Sequence, residues 1–362
     1  MPRDCSVAAG SWLRHTAPVR TSARFSLLAL ILLPSCTEDL SPLSAATSLV
    51  CPYPGNLPFR TPTHGFAQSA TKLIATENVR SKDEASDTIG NPNGPVASIY
   101  LAQGAQPTSA PISYRGAKGR TIPSGGYFSK PLQNEHVSLW TYDGGAWMSI
   151  GETITAEDGT YELPDTGYVA LNGQPIYSML DADGSCAEHY DYLYPRGTKV
   201  VITDIDGTLT LDDGQLLAQI PDDTYVPKIM GSGNKLMQAW AAKGYAVIYL
   251  TARPHVFRPE TRTWLHDLGF TDGALITAEQ VGDAGVYKTE WLQRMLTTFG
   301  WTAVAAYGNA DTDITAYENV GIAKNLTFIV GPLAGNRQTT AIANMDFAAH
   351  ISSFVAAQPD NH

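Results

Sequence analysis

Val200-Val-Ile-Thr-Asp-Ile-Asp-Gly-Thr208 decides how this chain is read. The run Val200 to Thr203, rich in β-branched side chains, reads as a buried strand. Asp204 and Asp206 follow at its end. Two residues apart on extended backbone, their carboxylates point the same way and can serve one pocket. Gly207 permits a tight backbone turn beside a ligand. The stretch thus supplies a nucleophile, an acid/base partner and oxygen donors for a hard cation. A bare Asp-x-Asp-Gly would also resemble a piece of calcium loop, but the strand before it argues against that reading.

Working outward, further apolar runs lie at Ala246 to Leu250, Trp301 to Tyr307 and Leu326 to Val330. Helical segments are expected between them: Asn234 to Lys243, Arg258 to Leu268 and Thr289 to Phe299, each stopped by a glycine. Alternating strand and helix implies a parallel sheet with helices on both faces, whose ligands bind at the carboxyl ends of the strands. Thr251 ends the second strand and could hold a phosphoryl oxygen, though a strand-terminal Thr is also an ordinary helix cap. Lys288, expected at a helix start, could neutralise a transferring phosphate; a solvated surface lysine is its ordinary alternative. Gly308-Asn309-Ala-Asp311-Thr-Asp313 follows another strand. Asp313 is placed to complete a metal site, with Asp311 as a second candidate. Arg253, His255 and Arg258 cluster after Thr251. All three could contact a head group, with Arg253 the candidate for substrate contact, while His255 and Arg258 are expected to face solvent from a loop.

Asp204/Asp206, Thr251, Lys288 and Asp313, in that order, resemble the four motifs of the haloacid dehalogenase superfamily. Asp204-Ile-Asp-Gly-Thr-Leu-Thr210, Tyr249-Leu-Thr-Ala-Arg253 and Gly308-Asn309 with Asp313, Ala316 and Tyr317 more closely resemble the lipin-type phosphatase domain. That domain also occurs in some phosphatidylinositol transfer proteins. Asn309 stands where many superfamily members carry Asp, and lipins share this Asn. The Ser-Pro-Asp stretch expected ahead of Lys288 is replaced by Ile276-Thr-Ala-Glu279. The resemblance implies a magnesium-dependent phosphomonoester hydrolase. Asp204 would be the nucleophile and Asp206 the acid/base. Thr251 and Lys288 would hold phosphate. Mg²⁺ would lie on Asp204, the Asp206 carbonyl and Asp313.

The rest of the chain sets the context. Arg14, Arg20 and Arg24 precede the apolar run Phe25 to Leu33, which is too short to span a bilayer and reads as an export signal. Leu33-Pro-Ser-Cys36 resembles a lipobox, so Cys36 is expected to carry lipid at the start of an exported, membrane-anchored chain; ordinary cleavage nearby is the alternative. Cys51 and Cys186 could then pair as a disulfide or remain separate buried thiols. Net charge is -11, with 24 Lys+Arg against 35 Asp+Glu, which argues against nucleic acid and against electrostatic recruitment to anionic lipid.

The expected organisation is a signal with lipobox at 1–36, a linker at 37–65, a β-rich, sandwich-like domain at 66–197 and the phosphatase domain at 198–357. In the β-rich part, Val137 to Tyr142 and Ala146 to Ile150 form a hairpin across Asp143-Gly-Gly145. Trp140 and Trp147 are expected in its core or at its rim. Asp181-Ala-Asp-Gly184 reads as an acidic turn, with a short calcium loop as the alternative. The spacing between Asp206, Thr251 and Lys288 leaves no room for a lid domain. An open site suits a bulky or membrane-embedded substrate, phosphatidate above all. A soluble phosphomonoester or phosphoprotein, or phospholipid binding without catalysis, is the alternative.

Overall fold

Six parallel strands carry the C-terminal half: β1 (Lys199–Thr203), β2 (Ala246–Pro254), β3 (Ala274–Ala278), β4 (Thr302–Gly308), β5 (Thr327–Ile329) and β6 (Thr340–Ala341). Their order in the sheet is β3-β2-β1-β4-β5-β6. The computed structural model describes residues 80–85, 88–90, 96–97, 100–106, 113–115, 121–123, 128–131, 133–143, 146–157, 159, 161, 173–181 and 186–362, except 220–221, 223–224 and 279–282.

The central strands are buried on both faces, as strands of a parallel sheet are. Alternate residues feed two cores. Val201, Val247, Tyr249, Ala305 and Tyr307 join one, and Val200, Ile202, Ile248, Leu250 and Ala306 the other. The longer helices are α1 (Gly214–Gln219), α2 (Gly233–Ala242), α3 (Arg258–Asp267), α4 (Ala284–Gln293) and α5 (Asp311–Asn319). Gly244, Gly269 and Gly300, the expected helix stops, have φ of +81°, +74° and +73°.

Two boundaries differ from expectation. α4 begins at Ala284, not Thr289, because the Asp283 carboxylate accepts from Gly285 N (2.9 Å) and Val286 N (3.2 Å). Lys288 therefore lies inside the helix rather than at its start. β2 runs past Leu250 to Pro254, with a register shift against β3, so Thr251 and Arg253 are strand residues.

The order reverses at β1, with β2 on one side and β4 on the other, which puts the switch point at the ends of β1 and β4. Between β1 and β2 the described residues form α1, α2 and turns, and between Thr251 and Lys288 they form α3 and β3. No inserted lid domain occurs among them.

Ahead of this sheet lie a three-stranded antiparallel sheet (Arg80–Ala85, Tyr100–Gln106, Phe128–Pro131), a two-stranded sheet (Ser113–Arg115, Thr121–Pro123) and a six-stranded sheet. The six-stranded sheet is antiparallel except where Cys186–Leu193 pairs with Thr88–Gly90. The expected hairpin is present as His136–Asp143 and Ala146–Ile154. Trp140 is buried with Tyr177 and Met179, and Trp147 packs against them at the rim. Asp181 is buried and accepts from Ser138 Oγ at 3.0 Å; the rest of its turn, 182–185, lies outside the described residues, as do Cys36 and Cys51.

Candidate active site

Asp204 leaves β1 with its backbone N still donating to Tyr307 O on β4 (3.0 Å). The chain then wraps around one carbonyl: Ile205 O accepts from the N–H groups of Thr208, Leu209 and Thr210. Gly207 sits at φ +70°, and a Cβ there would collide with Asn309 and Asp213, so the turn requires glycine.

This turn aims the two carboxylates into different surroundings. Asp204 Oδ1 accepts from Lys288 Nζ at 2.6 Å, and Thr208 Oγ1 lies 3.0 Å from Oδ2. Lys288 Nζ also donates to Asp313 Oδ1 at 2.6 Å. Asp313 Oδ2 accepts from the backbone N of Asn309 and Ala310, both at 3.0 Å, which fixes the carboxylate at the start of α5. All three charged groups are buried. Burial pushes the Asp204 carboxyl up to about 7; Lys288 pulls it down, and Asp313 and Asp206 push it further up. Burial alone would lower Lys288, but the two carboxylates overcome it and hold the ammonium above its ordinary value.

Asp206 is the exposed partner, its side chain 22% accessible. Arg253 grips it with a fork: Nη2 to Oδ1 at 2.7 Å, Nε to Oδ2 at 2.9 Å and Nε to Oδ1 at 3.1 Å. Thr251 Oγ1 lies 3.4 Å from Asp206 Oδ2 and accepts from Arg253 N at 3.1 Å. Asp204, Asp206, Thr251, Arg253, Lys288 and Asp313 are thus brought into one site. Asp311 points elsewhere, its exposed carboxylate paired with Arg337 Nη2 at 2.7 and 2.9 Å. It lines a separate cleft of about 270 Å³ between α4 and α5, with Asp283, Thr289 and Glu290.

The solvent-facing expectation for His255 and Arg258 is corrected: both are buried, and His255 Nδ1 lies 2.6 Å from Thr277 Oγ1 on β3. His255–Phe257 forms a short 3-10 turn that leads directly into α3, whose first residue is Arg258, and lies against the Arg80–Ala85 strand, so the segment is not an open loop. Sequence reasoning gave no role to Thr208, Asp213 or Thr261. Thr208 Oγ1 approaches Asn309 Oδ1 at 3.2 Å, and Asn309 Nδ2 donates to Asp213 Oδ1 at 2.9 Å, tying the turn after β1 to the end of β4. The signal for Thr208 was its place in the motif. Nothing local marks Asp213 or Thr261.

Among the described residues no three His, Cys, Asp or Glu side chains gather as a metal cage. The donors at the site nevertheless fit a hard divalent ion of the magnesium kind, which binds through one or two carboxylates plus substrate and water oxygens. With Asp204 ionised, it and Asp313 supply two buried negative charges against the single positive charge of Lys288. The uncompensated charge is what a bound cation would neutralise.

Residues 201–331 match the family model described as the LNS2 domain of PITM 1-3. Over 216 residues the chain is 27% identical to protein retinal degeneration B of Drosophila melanogaster, covering 59% of this chain and 16% of that one. It is 26% identical over 212 residues to the mouse membrane-associated phosphatidylinositol transfer protein 2, covering 58% and 15%. The chain therefore spans about a sixth of the length of these relatives. A solved structure of a putative haloacid dehalogenase-like phosphatase from Mesorhizobium loti aligns at TM-score 0.35 and 15% identity, over 46% of this chain and 88% of that one. The segment that holds the carboxylate site is the segment similar to the LNS2 domain.

Proposed function

We propose that residues 198–357 form a Mg²⁺-dependent phosphomonoester hydrolase that acts through an aspartyl-phosphate, with phosphatidate at a membrane as its substrate. The observation that carries this reading is the pair of unlike carboxylates at one strand end. Asp204 is buried against Lys288 and Thr208, while Asp206 reaches solvent two residues on. Environments that separate two carboxylates in this way suit one to attack and the other to move protons.

In the proposed reaction an Asp204 oxygen attacks phosphorus as the ester P–O bond breaks, and Asp206 gives its proton to the leaving alkoxide. Asp206 then takes a proton from the water that attacks the aspartyl-phosphate, which releases phosphate and restores Asp204. Lys288 spends two donors on Asp204 and Asp313, leaving a third for a phosphoryl oxygen. Thr251 turns from its long contact with Asp206 to another. Asp204, the Asp206 carbonyl and Asp313 would hold magnesium, which supplies charge neutralisation for the incoming phosphate.

The membrane assignment rests on the likeness to membrane-associated phosphatidylinositol transfer proteins, on the absence of an inserted lid among the described residues and on the Cys36 lipobox of an exported chain. No helix among the described residues is long and apolar enough to cross a membrane, so lipid on Cys36 would provide the attachment. The same likeness favours a second reading, a phospholipid-binding module without catalysis.

The test is phosphate release by the detergent-purified chain, with and without magnesium, from phosphatidate micelles and from soluble phosphomonoesters, with Asp204→Asn as control. Magnesium-dependent release from phosphatidate, lost in the variant, supports the proposal. Release from soluble esters only keeps the chemistry and overturns the lipid substrate. Phosphatidate binding with no release from any ester selects the second reading.

A further inference from the structure

We infer that Arg253 is a positioning residue for Asp206 and does not contact substrate; the inference rests on the phosphatase reading. A substrate-binding arginine presents N–H groups to the pocket. The Arg253 side chain has 0% accessible area. Its Nε and Nη2 are committed to the Asp206 carboxylate. Its Nη1 turns the other way, to Thr261 Oγ1 at 3.0 Å on α3, and that hydroxyl donates in turn to Phe257 O at 2.7 Å. The guanidinium is therefore anchored from behind and grips one object in front.

The consequence falls on Asp206. A partly exposed Asp at a strand end otherwise samples several side-chain orientations. A planar fork that engages both of its oxygens fixes the plane of the carboxylate, which a lysine ammonium, a point charge, cannot do. The two oxygens are held unequally. Oδ1 takes two hydrogen bonds, at 2.7 and 3.1 Å, whereas Oδ2 takes one at 2.9 Å and the long Thr251 contact at 3.4 Å. The geometry assigns the moving proton to Oδ2: it passes to the leaving-group oxygen as the P–O bond breaks and is replaced from the attacking water.

Proton donation matters for an alkoxide leaving group and hardly at all for a p-nitrophenolate, and this difference separates positioning from binding. In the full chain with magnesium, Arg253→Gln is expected to lower kcat on phosphatidate by ~10²-fold, the scale of general acid catalysis. KM should stay the same, and kcat on p-nitrophenyl phosphate should fall less than about tenfold. Arg253→Lys should recover little of the loss. Thr261→Val, which removes the rear anchor outside the pocket, should reproduce the same leaving-group selectivity at smaller size and carries the test if Arg253→Gln does not fold. A rise in KM for both esters with kcat retained, or full rescue by lysine, would overturn the inference.

A readout without turnover separates its failure from that of the phosphatase reading. The Arg253 Nε–H resonance should be slow to exchange, should be lost or shifted in Asp206→Asn and should stay in place when inorganic phosphate is added. A phosphate-dependent shift with Asp206 intact overturns positioning even in a protein that hydrolyses nothing.

Discussion

Asp204 and Asp206 leave the same strand two residues apart, one into a buried cluster with Lys288 and Asp313, the other toward solvent in the grip of Arg253. The first cluster has more negative than positive charge and is buried. Its carboxyl is accordingly raised to about 7 by burial, with Lys288 opposing. The second is a one-to-one pair with an exposed face. Two residues of one type thus acquire different chemistry from their partners, and the charged partners come from β2, α4 and α5, while only Thr208 comes from the motif itself.

The largest test of this contrast is Asp204→Asn, expected to reduce phosphate release by more than ~10⁴-fold because the nucleophile is gone. The same change leaves Asp313 and Lys288 balanced, so the metal-free variant should melt no lower than wild type at pH 8. A marked loss of stability would break the account of an overcharged cluster. Lys288→Met should do the opposite, stranding two buried carboxylates and costing about 3–5 kcal/mol in metal-free denaturation. Asp206→Asn should keep the fold and phosphate binding while turnover of alkyl esters drops ~10²–10⁴-fold.

The pH dependence sharpens the comparison further. Folding raises the Asp204 carboxyl from 3.8 to about 7, so the folded protein holds a proton that the unfolded chain releases first. This group's contribution is fully present below about 4 and is lost as pH rises through about 7. His350, half-buried with its Nε2 2.8 Å from Tyr307 Oη, is lowered from 6.5 to about 4 by burial and acts in the other direction, its contribution being lost as pH falls. The difference between wild type and Asp204→Asn isolates the aspartate. In chelator, wild type should lose stability relative to the variant between pH 5 and pH 8, and saturating magnesium should reduce the loss. The smallest effect belongs to Asp311→Asn, which removes an exposed ion pair and should change stability by less than ~1 kcal/mol. Magnesium dependence should stay unchanged; a shift in it would place Asp311 at the metal.

The two halves of the chain were unequally legible. From Val200 onward, β1, β2, β4 and β5 announced themselves by apolar runs and α2, α3 and α4 by their terminal glycines, because a parallel sheet buried on both faces leaves a dense local signal, whereas β6, α1 and α5 carried no such signal. The earlier sheets alternate more weakly, and only the hairpin around Asp143-Gly-Gly145 declared its partner. Departures from expectation in the C-terminal half arose where local contacts overrode the pattern. The Asp283 cap started α4 early, and the turn at His255–Phe257, leading straight into α3 against the Arg80–Ala85 strand, left His255 and Arg258 buried.

By itself the sequence determined the parallel α/β sheet and the strand end at which Asp204 and Asp206 sit together, since each follows from period, turn and spacing within a few residues. Only the tertiary structure decided what those groups touch. Lys288 reaches Asp204 across 84 positions and Asp313 across 25, and Arg253 turns its fork onto Asp206 with Thr261 behind it. Such contacts are set by how helices dock against the strand ends, and the direction and burial of a charged side chain depend on that docking rather than on its neighbours in the chain.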